Sequence, residues 1–124
     1  MKDIGCLTEN YLDLLNKKQE DLKRNIKELQ LQECADEAKL QKIRLNIVEI
    51  FYKMFNLSLS GNPMELREKY LNFFDKITDP WHINKENALE FGNEEEVIIE
   101  NLKIQEAEEL KKQFENYYDQ IECN

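Results

Sequence analysis

From Cys6 to Ser60 the chain contains neither glycine nor proline, and over that span its apolar residues keep a seven-residue repeat. Leu12, Leu15, Leu22, Ile26, Leu29, Leu40, Ile43, Ile47, Ile50, Met54 and Leu57 fall on alternating steps of three and four, the spacing that lines one face of a helix. Gln19, Glu33 and Asp36 interrupt the stripe. The last two are close together, and burying the stripe there would strand two carboxylates away from water. A turn near residues 33 to 37 therefore fits better than one unbroken rod. It makes the first half of the chain a helical hairpin, and Asp36 is placed to cap the second helix. No glycine marks the stop, so a continuous helix is the competing expectation.

The second helix, 36 to 57, adds Leu45, Val48, Phe51, Tyr52 and Phe55 to its stripe, so apolar side chains cover most of its circumference near the C-terminal end. Such a helix must be covered on several sides, which makes it the centre of a bundle or part of a subunit interface. Ser58 to Pro63 then reads as a loop that opens a third helix. Asn62 suits the N-cap, Pro63 the first helical position and Glu65 the capping box. Leu66, Tyr70, Phe73, Phe74 and Ile77 carry that helix to residue 77, where Thr78-Asp79-Pro80 is expected to stop it. A short helix, 80 to 92, would follow, carrying Trp81, Ala88 and Phe91 up to Gly92. Asn93 caps the last helix, and Glu94, Glu95 and Glu96 set negative charge against its positive end. Its expected stripe is Ile99, Leu102, Leu110, Phe114, Tyr117 and Ile121, with Glu106 breaking it midway. Of the adjacent Tyr117 and Tyr118, one should face the bundle and the other solvent or a partner.

The fold class expected is thus all-α: a single domain over residues 1–124, a bundle of about four long helices plus one short one, beginning with a long hairpin. Only 3 glycines and 2 prolines in 124 residues argue the same way, since a β sandwich needs many more turn residues.

Function is sought in the residues that chemistry needs. The only histidine is His82, the sole imidazole base for any serine or cysteine nucleophile; after Trp81 it is expected in a surface or capping role, and one histidine cannot make a metal site of the two Glu-x-x-His kind. The glycines are isolated, which leaves no phosphate-cradling loop. Carboxylates are plentiful. All-α pyrophosphohydrolases bind magnesium through acids spaced i, i+3, and such pairs occur at Glu33/Asp36, Glu65/Glu68, Glu106/Glu109 and Asp119/Glu122. That is no more than chance placement of 26 acids produces. If the chain were such an enzyme, Glu65, Glu68, Glu106 and Glu109 would be its magnesium ligands, because two facing helices could bring them together.

A net charge of −9 repels a nucleic-acid backbone unless cations cluster, and Lys17, Lys18, Lys23, Arg24 and Lys27 are interspersed with Glu20, Asp21 and Glu28. The same charge permits an acidic decoy that imitates nucleic acid, given carboxylates along one elongated face. The apolar runs are too short to span a bilayer, and Cys6, Cys34 and Cys123 form no paired motif, so a soluble cytoplasmic chain is expected. The richness in Lys, Glu, Asn and Ile resembles proteins of AT-rich bacterial genomes. The reading requiring fewest assumptions is a non-enzymatic protein that acts through helix packing, with no cofactor, metal, nucleic-acid, membrane or small-molecule partner. Because a 15-residue third helix could not cover the first helix, a homodimer is expected. Its candidate interface is Leu12, Leu15, Leu22, Ile26, Leu29, Phe51 and Phe55.

Overall fold

The computed structural model describes residues 4–123, with side chains described through residue 120. Four helices follow one another: α1 (Ile4–Leu31), α2 (Ala35–Ser58), α3 (Pro63–Glu90) and α4 (Glu94–Cys123). They form an up-down-up-down bundle with no strand among the described residues. Three tight connections, at 32–34, 59–62 and 91–93, make each helix antiparallel to the next. The first and last connections share one end of the bundle, called here the turn end. The 59–62 loop lies at the other.

The first and last turns use one device. At residue 92, Asn93 N–H donates to the Ala88 carbonyl (2.8 Å) and Gly92 N–H to that of Leu89 (3.3 Å), with Gly92 at φ 70°. At residue 33, Cys34 N–H donates to Leu29 (2.8 Å) and Glu33 N–H to Gln30 (3.2 Å), with Glu33 at φ 60°. Both are Schellman closures, which require a left-handed residue just past the helix. Glycine takes that conformation freely and glutamate at some cost, so the first hairpin does turn near residue 33 without its usual marker. Asp36 is not the cap: α2 starts after Cys34 with no side-chain capping bond, and Asp36 lies in the first turn. Asn62 caps α3 as expected, its Oδ1 accepting from Met64 N–H at 2.8 Å. Glu65 reaches Ser60 Oγ (2.8 Å) rather than closing a capping box, and Ser60 Oγ accepts from Asn62 N–H. Asn93 Oδ1 accepts from Glu96 N–H at 3.2 Å, capping α4.

The expected stop at Pro80 does not occur, and there is no separate short helix: α3 runs through the proline to Glu90. An interior proline removes a hydrogen bond and costs about 3 kcal/mol. Here the Lys76 carbonyl that loses its donor lies on a face where both Lys76 and Pro80 are exposed to water, while Trp81 and Ala88 beyond it are buried. Solvation of the carbonyl and burial of those side chains offset the loss. Thr78 Oγ donates back to the Phe74 carbonyl (2.7 Å), a contact that eases bending at the same place.

With 28 residues each, α1 and α3 are both about 42 Å long at 1.5 Å per residue. The first helix therefore does not project beyond a short third one, and that premise for the homodimer falls. Helix α2 packs against α1, α3 and α4, which covers most of its wide apolar surface within one chain and leaves Leu57 exposed. Across the bundle, α2 and α4 pack closely on one diagonal while α1 and α3 scarcely meet along the other. Two tyrosines reach over that wider diagonal. Tyr11 and Tyr70 bring their hydroxyls to 2.6 Å among the rings of Phe55 and Phe114.

Candidate functional site

Five of the seven candidate interface residues belong to the chain's own interior. Leu15, Phe51 and Phe55 are fully buried, Leu22 and Ile26 nearly so, while Leu12 and Leu29 are half-buried. The seam proposed along α1 is therefore already occupied by α2 and α4. On α4 the buried face is rotated from the expected stripe. Glu100, Ile104, Ala107, Leu110, Phe114 and Tyr118 point inward, and Ile99, Leu102 and Tyr117 are only half-buried. Tyr118 stacks near Phe114 (6.1 Å) with the Arg67 guanidinium 5.5 Å from its ring centroid. The side chain of Ile121 lies outside those described.

Buried polar groups come in two kinds. The tyrosine pair is satisfied: Tyr11 donates its single proton to the Leu110 carbonyl (3.2 Å), so Tyr70 must donate to Tyr11. Burial pushes both phenols well above the ordinary tyrosine value, and for Tyr70 the neighbouring Tyr11 adds to the shift. The second kind lies nearer the turn end. Glu100 is 1% exposed, takes one bond from Lys103 Nζ (3.1 Å) to Oε1, and has no protein partner for Oε2. Lys103 Nζ in turn lies 5.6 Å from the centroid of the Trp81 ring. Gln19 Nε2 and Arg44 Nε, near mid-bundle, and Gln113 Oε1, beside Phe114 in the other half, are likewise buried without protein partners.

The acids considered as magnesium ligands are not brought together. Arg67 binds Glu115 through two bonds (3.0 and 3.2 Å), which fixes the α3–α4 register. Glu65 and Glu68 then lie level with α4 residues 114 to 117. Glu109 is five residues from that level, about 7 Å at 1.5 Å per residue, and Glu106 is further. Three of the four have other company: Glu65 binds Ser60, Glu106 is 4.0 Å from Lys18, and Glu109 accepts from Gln113. Among the described residues no group of three or more His, Cys, Asp or Glu is placed to hold a metal ion. His82 is exposed, beside a cleft of about 200 Å³ between α3 and α4 that Asp75, Asp79, Glu108 and Lys111 also line.

What the surface does offer is apolar. Leu31, Leu57, Leu59, Met64, Ile83, Leu89, Phe91 and Ile98 are exposed, Phe91 by 82%. All but Ile83, which lies about two turns inside the end of α3, are at a connection or within about a turn of one. At the turn end, the first turns of the parallel helices α2 and α4 leave a groove of about 390 Å³ between them, with Leu40, Ile98 and Ile99 as its apolar lining and Asp36, Lys39 and Glu95 at its polar side. Lys39 Nζ lies 3.4 Å from Glu95 Oε1 across it. Sequence reasoning missed this groove because its two walls are almost sixty residues apart in the chain. No described helix is long and apolar enough to cross a membrane. Compared with protein-family models, with curated proteins and with solved structures, the chain matches none of them.

Proposed function

We propose that this chain is a non-enzymatic interaction module that engages another protein chain through the ends of its bundle. The observation that carries this reading is the placement of the exposed apolar side chains. Leu57, Leu59 and Met64 gather at one end and Leu31, Leu89, Phe91 and Ile98 at the other, with Ile83 about two turns in from that second end, whereas the exposed middle of the bundle is charged and polar. Apolar surface collected in this way favours association, because covering it removes it from water. Self-association is one form of the same reading, with its seam at these ends and not along Leu15, Leu22 and Ile26. Light scattering separates the forms: a mass near the 14.9 kDa of one chain, unchanged on concentrating, means that the partner is a different protein. The test of the module itself is photo-crosslinking in the native cell with a photoreactive residue at position 57, 91 or 98, against position 17 in the middle of α1. Crosslinks to a protein partner concentrated at the end positions are the expected result. Equal or absent labelling at the ends refutes the reading.

A further inference from the structure

We infer that the groove between the starts of α2 and α4 receives a cationic amphipathic helix of a partner protein, an inference that rests on the interaction-module reading. Its volume, about 390 Å³, is in the range of ligand-sized clefts and takes a few aliphatic side chains, not a whole helix. Leu40, Ile98 and Ile99 supply the apolar floor, and Ile98 is 56% exposed, so its cover comes from outside the chain. A helix laid in such a groove inserts residues one turn apart and keeps its polar face at the rim.

Charge decides between occupants. Asp36, Lys39 and Glu95 line the groove, and the helix turns that carry them, residues 33–42 and 94–99, add Glu33, Glu37, Glu94 and Glu96 against Lys42, six negative charges and two positive in all, net −4. The positive ends of α2 and α4 offset about half a charge each, which leaves about −3. Lys39 is engaged with Glu95. A second copy would set two such surfaces face to face at a repulsive cost, and an anionic or purely apolar helix would leave the rim uncompensated. Lysine or arginine flanking an aliphatic stripe satisfies both floor and rim.

The test uses the full chain, isotope-labelled for amide chemical-shift mapping, and two synthetic 14-residue peptides with leucine at helical spacing. One carries lysine at its polar positions, the other glutamate. The lysine peptide is expected to shift amides of residues 36–43 and 94–102 at saturable micromolar concentration, and to weaken as salt is raised from 50 to 300 mM. Ile98→Asp should weaken it at least tenfold even though it adds negative charge, while Leu57→Asp at the far end leaves it unchanged. Circular dichroism checks that both variants are folded, and Ile98→Ser serves as a second variant if the first is not. Undiminished binding by the folded Ile98 variants would reduce the effect to unspecific charge attraction and overturn the inference. So would scattered shifts, equal binding of the glutamate peptide, no binding, or a dimer that Ile98→Asp dissociates. If the peptide fails while crosslinks still concentrate at the bundle ends, only this assignment of groove and charge falls. If both fail, the module reading falls with it.

Discussion

The two halves of the bundle are built to different standards. Leu7, Tyr11, Leu15, Ile47, Val48, Phe51, Phe55, Leu66, Tyr70, Leu110 and Phe114 are large side chains with almost no exposure, and all lie toward the 59–62 loop. In the turn-end half the one large side chain buried as deeply is Glu100, a carboxylate. Its apolar neighbours there, Leu22, Ile26, Trp81 and Ile104, each keep 7–9% of their surface. One half is an aromatic core in which both tyrosine hydroxyls are paired and one buried atom, Gln113 Oε1, has no protein partner. The other combines looser packing, buried polar atoms without protein partners and the apolar groove. The contrast teaches that the packing needed for stability and the surface available for a partner have been separated along one axis. The first half can hold the fold while the second is left incomplete.

The sharpest way to break this comparison is one residue type on one helix. Leu15→Ala should cost about 3–5 kcal/mol and Leu22→Ala, a heptad away, nearer 2, by urea denaturation, because the tighter site leaves the larger cavity. Equal losses would show that the halves are packed alike.

Alkali tests the aromatic half next. Buried Tyr11 and Tyr70 hold protons in the folded state that the unfolded chain releases above about pH 10. Their contribution is present in full below that pH and falls as pH rises toward the folded values, by about 1.4 kcal/mol per pH unit for each tyrosine. Denaturation midpoints measured from pH 9 to 12 should therefore drop steeply. The double variant Tyr11→Phe, Tyr70→Phe should flatten the slope.

Glu100→Leu addresses the other half. Removing a buried carboxylate with one unpartnered oxygen is expected to raise stability by about 1 kcal/mol, since Lys103 is part-exposed and can turn to water. A loss of stability would mean that the carboxylate is better satisfied than its protein contacts indicate. The smallest effect belongs to the turn itself. Glu33→Gly should stabilise by about 0.5–1 kcal/mol by relieving the left-handed backbone, read as a rise of a few degrees in Tm, whereas Gly92→Ala should do the reverse.

Much of this architecture was legible in the sequence because helix burial leaves a period. The stripe through Leu15, Leu22 and Ile47 located a real buried face, and the acids at 33 and 36 located a real turn. Pro80 was misread because a missing donor is a local fact, whereas the water-exposed Lys76 carbonyl and buried Trp81 that offset it are facts of the assembled bundle. On α4 two apolar ladders compete, one through Ile99 and Leu102, the other through Ile104 and Ala107. The second wins although it carries Glu100 inward, and no count of apolar residues would have chosen it. The interface residues were misassigned for a related reason. Periodicity shows that a face is buried, not whether its cover comes from the same chain. The groove left no trace in the sequence, since helix starts distant in the chain create it.

Pro80 acquires another meaning from where it stands. It interrupts the backbone ladder of α3 close to the level at which the aromatic half gives way to the looser one, and the Thr78 hydroxyl also bonds the Phe74 carbonyl beside it. A helix with a missing rung can fray to that rung without disturbing what lies beyond. If the turn end opens as its own cooperative unit, amides of residues 81–90 are expected to exchange faster than those of residues 66–74, which hydrogen exchange followed residue by residue checks. Occupancy of the groove would then register as slowed exchange on one side of the proline and silence on the other.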